Sequence, residues 1–251
     1  IRTCHEMYRS SDGSIHQSNV MVSVKISDMT ASVGGGGYVS HSLNQFIAID
    51  DSYMLTVDHG DAYPRCVSLG RYVKNAGQDD FHKGSFSSIK ALPILGGVNP
   101  YTGVSVGGLE VSETAYLVAG NSVQQDEPAS YKTGGVRNIF VTSTQKNNFT
   151  SGGTTIRWIT NYSEKTISVS TPHLVKVSGS EFVLMWTEGN QVKCVLLNAS
   201  GEPVTGNYSY EGALSSCVPI VKGGNVIWYY TSNSEPKFCS INIDEVRKQA
   251  Q

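Results

Sequence analysis

The sequence has little charge, almost no helical periodicity, no long apolar run and no closely spaced cysteines, and each absence removes a class of function. Charged residues make up 16% of the 251, against roughly 25% in an average domain, and the net charge is −2. No run of Lys or Arg could neutralise a phosphate backbone, so nucleic acid is not an expected partner. No stretch approaches the ~20 consecutive apolar residues of a membrane-spanning helix. The longest runs, such as Phe182-Val183-Leu184-Met185-Trp186, have the length of a strand. The five cysteines (Cys4, Cys66, Cys194, Cys217 and Cys239) include no Cys-x-x-Cys pair, so no metal site is expected. Cys194 and Cys239 stand inside strand-like runs and are expected to be small buried apolar groups; a disulfide among Cys4, Cys66 and Cys217 stays open. The chain starts at Ile1 without a basic segment leading into an apolar one, and reads as mature, trimmed or cut from a longer protein.

Several active-site signatures are missing as well. The run Gly34-Gly35-Gly36-Gly37 is not followed by the Lys-Ser/Thr pair of a phosphate cradle, and no Gly-x-Ser-x-Gly elbow occurs. No cofactor is expected. The four Asn-x-Ser/Thr triplets, at Asn148, Asn161, Asn198 and Asn207, are no more than a chain this rich in Asn, Ser and Thr would hold by chance.

Strand and turn signals fill the chain instead. Val20-Met21-Val22-Ser23-Val24-Lys25-Ile26, Gln191-Val192-Lys193-Cys194-Val195-Leu196-Leu197 and Lys237-Phe238-Cys239-Ser240-Ile241 read as strands. Clusters such as Ser11-Asp12-Gly13, Asn198-Ala199-Ser200-Gly201 and Lys222-Gly223-Gly224-Asn225 separate the strands as turns. The exception is Ile243 to Gln249, which is compatible with a short terminal helix.

A repeat organises these elements. The stretch from Ser178 to Gly189 has a counterpart from Lys222 to Asn233, and at the same offset of 44 residues Lys193 meets Lys237, Leu197 meets Ile241 and Asn198 meets Asn242. Weaker copies stand at 51–60 and 112–121. The strand after each turn is apolar throughout rather than alternating, which fits a strand covered on both faces. The expected fold is therefore all-β: a single β-propeller-like domain over 1–251, an array of antiparallel sheets with about five blades or part of a larger propeller. The expected units are roughly 1–30, 43–75, 105–145, 154–204 and 213–245, with 76–104 and 122–135 as the largest insertions. Trp186 and Tyr230 should occupy equivalent, largely buried positions.

Thr171-Pro172-His173-Leu174-Val175-Lys176-Val177, the apolar strand ending in Trp186, and Leu197-Asn198-Ala199-Ser200-Gly201-Glu202-Pro203-Val204 together resemble the blade pattern of bacterial secreted β-propeller proteins. The segments from His41 to Phe46 and from Asp58 to Arg65 are similar to a signature of the same proteins. The resemblance covers about half the chain. It implies the fold and a secreted or cell-surface location, and no particular activity, because propellers carry hydrolases, lyases, lectins and scaffolds alike. The sialidase Asp-box is not matched: Ser11-Asp12-Gly13 lacks its spacing and its Trp.

The densest polar cluster is Asp58-His59-Gly60-Asp61-Ala62-Tyr63-Pro64-Arg65, after an apolar strand. Asp58, His59, Asp61 and Arg65, with His41 and Asn44 brought to the same end of a hairpin, form the candidate ligand-binding set. Asp and His can also act as acid and base, or simply lock a loop through backbone hydrogen bonds. The function these features suggest is a binding or scaffold module recognising carbohydrate or protein. The competing reading is a glycan-active hydrolase or lyase using Asp58, His59 and Asp61. Aromatic residues such as Trp158, Trp186, Trp228, Tyr229 and Tyr230 are expected to be mainly core, although one left at a propeller mouth would stack on a sugar ring. Far-ultraviolet circular dichroism should show a β-dominated spectrum with helix below about a tenth, against the usual 30–35%; average helical content would overturn the fold expectation.

Overall fold

A computed structural model describes residues 2–9, 15–24, 31–35, 46–51, 53–60, 66–73, 86–93, 104–123, 136–164 and 167–248. These residues form five antiparallel sheets, each built from strands consecutive in the chain. The first sheet holds β1 (Arg2–Arg9), β2 (Ile15–Val24) and β3 (Ala31–Gly35). The second holds β4 (Phe46–Asp50), β5 (Tyr53–Gly60), β6 (Cys66–Val73) and β7 (Phe86–Pro93), and the third β8 (Ser105–Val111), β9 (Ala115–Val123), β10 (Arg137–Gln145) and β11 (Thr154–Trp158). The fourth holds β12 (His173–Lys176), β13 (Glu181–Glu188), β14 (Gln191–Asn198) and β15 (Tyr208–Glu211), and the fifth β16 (Ile220–Lys222), β17 (Asn225–Ser232) and β18 (Glu235–Asn242). One helix, α1 (Ile243–Lys248), follows, its first turn capped by Asn242 Oδ1 accepting from the Asp244 amide at 2.9 Å.

The apolar strands are continuous because neighbouring sheets cover both of their faces. On β13, Phe182, Leu184 and Trp186 pack into a cluster shared with the third sheet, while Val183 and Met185 pack into one shared with the fifth. On β9, Tyr116 and Val118 face the second sheet, and Ala115, Leu117 and Ala119 face the fourth. All of these side chains are 0–2% exposed, and each large one buried contributes about 1.5–3 kcal/mol. The cores therefore lie between sheets, and each sheet from the second to the fourth shares one with the next.

The first strands of these four sheets also run side by side: β4 lies against β8, β8 against β12 and β12 against β16. β12 comes so near β8 that a Cβ added to Gly107 would sit 1.6 Å from the Pro172 carbonyl oxygen, and one on Gly108 2.6 Å from Leu174 Cβ. Glycine is required at this contact because two backbones occupy the space of a side chain.

The repeat of 44 residues is structural. β13 and β14 pair from Glu181↔Asn198 to Glu188↔Gln191, and β17 and β18 pair from Asn225↔Asn242 to Ser232↔Glu235 at the same offset. Gly223 and Gly224, at φ 58° and 74°, form the two-residue hairpin loop between β16 and β17, as a type I′ turn requires. Trp186 is fully buried, whereas Tyr230 is only half-buried, because it lies at the open end of the junction between the fourth and fifth sheets.

Two boundaries differ from the sequence expectation. β7 lies inside the segment 76–104 expected to be an insertion, and β11 belongs to the third sheet rather than opening the fourth unit. Both are outermost strands, paired on one edge only, and most of their residues are exposed or half-exposed. Their polar sequences therefore carry little of the apolar signal that marks an inner strand. Cys194 is buried, and burial pushes its thiol up to about 12; Cys239 is half-buried and Cys217 exposed, and all three are free thiols. Cys4 and Cys66 have side chains outside the described set, so the disulfide question remains with them.

Trp186→Ala should cost about 3–5 kcal/mol in denaturant melts, as a large-to-small change in a core shared by two sheets. Gly107→Ala should cost roughly 1–3 kcal/mol by forcing β8 and β12 apart. A change near zero for both would contradict the packing described.

Candidate functional site

Strand direction divides the array into two rims. At one rim the first and second strands of each sheet meet in a hairpin; at the other, second strands end and first strands begin. The sequence-selected cluster belongs to the second kind of rim. Phe46 pairs with Val57, so Asp58 lies one position beyond the described start of β4. Asp58 pairs with Ser68 and His59 with Val67, and the strand continues to Gly60 opposite Cys66. As adjacent positions of one regular strand, Asp58 and His59 fall on opposite faces of the sheet. His41, Asn44, Asp61 and Arg65 lie outside the described residues, as do the side chains of Asp58 and His59.

The same rim of the third and fourth sheets holds a polar network that the sequence did not single out. Arg137, at the start of β10, donates through Nη1 to Asn121 Oδ1 at 2.9 Å and to Ser105 Oγ at 3.3 Å, crossing β9 to reach β8. Asn121 is buried and donates to the Ser170 carbonyl at 2.9 Å, tying the third sheet to the chain entering the fourth. Asn138 Oδ1 accepts from Thr160 Oγ1 at 2.9 Å and from the Tyr162 amide at 2.6 Å. Tyr162 donates its hydroxyl to Glu188 Oε2 at 2.5 Å. Burial and this carboxylate push the Tyr162 phenol up to about 12, the Trp186 indole N–H beside it acting in the opposite sense.

His173, 6% exposed, donates from Nε2 to the Ser215 carbonyl at 2.8 Å, while Nδ1 is buried and has no partner among the described residues. Burial holds its pKa below the ordinary value, since protonation would add a second N–H without an acceptor. Along this rim of the third and fourth sheets, Arg137, Asn121, Asn138, Tyr162 and His173 Nε2 are engaged with backbone carbonyls or with one another.

A groove of about 930 Å³ opens on the same rim between the fourth and fifth sheets. It is lined by the Gly189-Asn190 turn, Gln191, residues 209–213 and Tyr230. Tyr210 packs edge-on against Trp228 with ring centroids 5.8 Å apart, and Trp228 is itself fixed by donating to the Ala213 carbonyl at 3.0 Å. Lys193 Nζ donates to Gln191 Oε1 at 2.9 Å and to Ser209 Oγ at 2.7 Å. The signal for this groove was the alternation Tyr208-Ser209-Tyr210-Glu211, too short to separate a binding wall from an edge strand.

The opposite rim joins sheets. Asp50 accepts from the Tyr116 hydroxyl at 2.9 Å and from Lys146 Nζ at 3.1 Å, and Arg71 lies between the Tyr53 and Phe149 rings. Burial, then Asp50, raises the Tyr116 pKa. The loop after β14 is closed by Asn198 Oδ1, which accepts from the Ser200 and Glu202 amides. It docks on the third sheet through Ser112 to the Ala199 carbonyl, 2.7 Å, and Arg157 to Glu202, 2.8 Å. A polar hollow of about 520 Å³ lies beside that contact.

No family model and no curated protein matches the chain. Among solved structures it is similar to a puromycin-hydrolyzing peptidase of Mycobacterium tuberculosis, at 10% identity and a TM-score of 0.47, over 92% of this chain and 36% of that one. It spans little more than a third of that peptidase. Among the described residues no group of three or more His, Cys, Asp or Glu could hold a metal ion, and no helix is long and apolar enough to cross a membrane.

The environment of His173 makes stability pH-dependent. As pH falls through about 6.5 the unfolded chain takes up a proton that the folded chain resists, so stability is present above that pH and declines below it. Denaturant melts of the parent and of His173→Gln should diverge between neutral and mildly acidic pH, with the parent losing more. Equal losses would show that His173 does not contribute.

Proposed function

We propose that the chain is a β-propeller-type binding or scaffold module, secreted or displayed at a cell surface, that recognises carbohydrate or protein on the rim where second strands end. The side-by-side first strands and the cores shared by consecutive sheets support the propeller arrangement. So do the outer faces of the stack. Ile49 and Phe86 on the second sheet are 52% and 47% exposed, and Ile220 and Phe238 on the fifth are 59% and 78% exposed. A ring or a longer array would cover both faces.

The observation that carries the binding reading is the groove between the fourth and fifth sheets, whose walls are set before any ligand arrives. Tyr210 is braced by Trp228, and Trp228 by its bond to the Ala213 carbonyl. Prepositioned walls lower the ordering cost of binding. The hydrolase reading rests on Asp58, His59 and Asp61, whose side chains lie outside the described residues; of the described groups on the same rim, Glu188 is engaged by Tyr162 and His173 by a carbonyl.

Biolayer interferometry against a panel of glycans and extracellular proteins, with mass spectrometry of the recovered ligand, tests the proposal. Saturable binding that leaves the ligand chemically unchanged is expected. Turnover of any panel member would overturn the module reading, as would failure to bind all of them.

A further inference from the structure

The groove between the fourth and fifth sheets has a composition that selects among ligand classes. Two tyrosines supply aromatic surface: Tyr210 is 36% exposed and Tyr230 half-exposed. Tyr210 is held by Trp228, and Tyr230 lies against the chain at Gly212, where an added Cβ would come within 3.1 Å of its ring. Gly212 has φ 130°, a conformation open to glycine and not to a side-chain-bearing residue, so the close seat of Tyr230 is built into the backbone.

Glu211 is the one charged residue of the described lining, and it stands on the face of β15 opposite Tyr210. Asn190 in the turn adds an amide group, while the largest aliphatic side chain of the lining is that of Ala213. This lining offers no pocket to an apolar peptide anchor. It offers no cation to a phosphate or an acidic ligand, because the described lining holds no Lys or Arg and Lys193 stands on the opposite face of the sheet from Tyr210.

We infer that this groove binds a neutral saccharide, with sugar rings stacked on Tyr210 and Tyr230. The inference deepens the binding-module proposal and rests on it. The apolar C–H face of a hexose with equatorial hydroxyls matches the electron-rich face of a tyrosine ring. With no Lys or Arg in the described lining, an acidic ring would gain no ion pair there, which favours uncharged rings.

Isothermal titration with cellohexaose and hexa-N-acetylchitohexaose as neutral probes, and a galacturonate hexamer as the acidic one, tests the assignment. Saturable binding of at least one neutral probe is expected, with none of the acidic probe. Tyr210→Ala and Tyr230→Ala should each weaken binding about tenfold, the loss of one stacking contact. Tyr210→Phe keeps the ring and should retain affinity, which separates stacking from a folding defect. Neutral-probe binding that both alanine variants leave unchanged would overturn the groove while the module reading stands. No saturable binding of either neutral probe at about 5 mM, beyond the range of a millimolar site, would overturn the saccharide assignment, and the module reading would then be decided by its own protein and glycan panel.

Discussion

Burial of the inner strands on both faces is the constraint on which the rest of the structure depends. A sheet exposed on one side tolerates alternating polar residues, but β9 and β13 lie between two other sheets and must be apolar at every position of their central stretch. Each strand then holds two cores at once. Replacing one inner side chain disturbs the contact with the sheet before or the sheet after, and the sheets are coupled along the stack through these shared layers. The close approach of β8 and β12 at Gly107 and Gly108 follows from the same arrangement, since first strands are brought together wherever successive sheets stack.

Stacking leaves polar work for the rims. Loops and strand ends cannot be covered by a neighbouring sheet, so hydrogen bonds connect one sheet to the next there. On one rim Ser112, Arg157 and the Asn198–Glu202 turn join the third and fourth sheets, and Asp50 with Tyr116 and Lys146 joins the second and third. On the other, Asn121, His173 and Trp228 reach carbonyls of the connecting segments. A buried donor left without an acceptor costs about 1–3 kcal/mol, so these bonds fix the geometry of the rim. The groove between the fourth and fifth sheets inherits its rigidity from them.

The inner strands were legible in the sequence because their composition is a direct consequence of burial. The run Phe182 to Trp186 and its partner 44 residues later, Val226 to Tyr230, could be matched by eye, and the strands and registers agree. The outermost strands were not legible. β7 and β11 are exposed and polar, so Phe86-Ser87-Ser88 and Thr154-Thr155-Ile156 look like loop, and only pairing with β6 and β10 makes them strands. The site was harder still. Arg137, Asn121 and Ser105 are 16 residues or more from one another in sequence, and the groove takes residues from β13–β14, β15 and β17.

By itself the sequence determined the all-β class, the repeat and the turns, because apolar runs, glycine pairs and a spacing of 44 residues are local properties of the chain. Only the tertiary structure decided which face of each sheet is covered, which polar residues converge on a rim, and that Tyr210 and Tyr230 share one groove while Trp186, one repeat back from Tyr230, is sealed in a core. The physical reason is that Trp186 and Tyr230 occupy equivalent places in their own sheets, so their own strands cannot distinguish them. The difference comes from what lies beside each: the third sheet and its connecting segment close over Trp186, whereas the end of the fourth sheet leaves Tyr230 at an open junction.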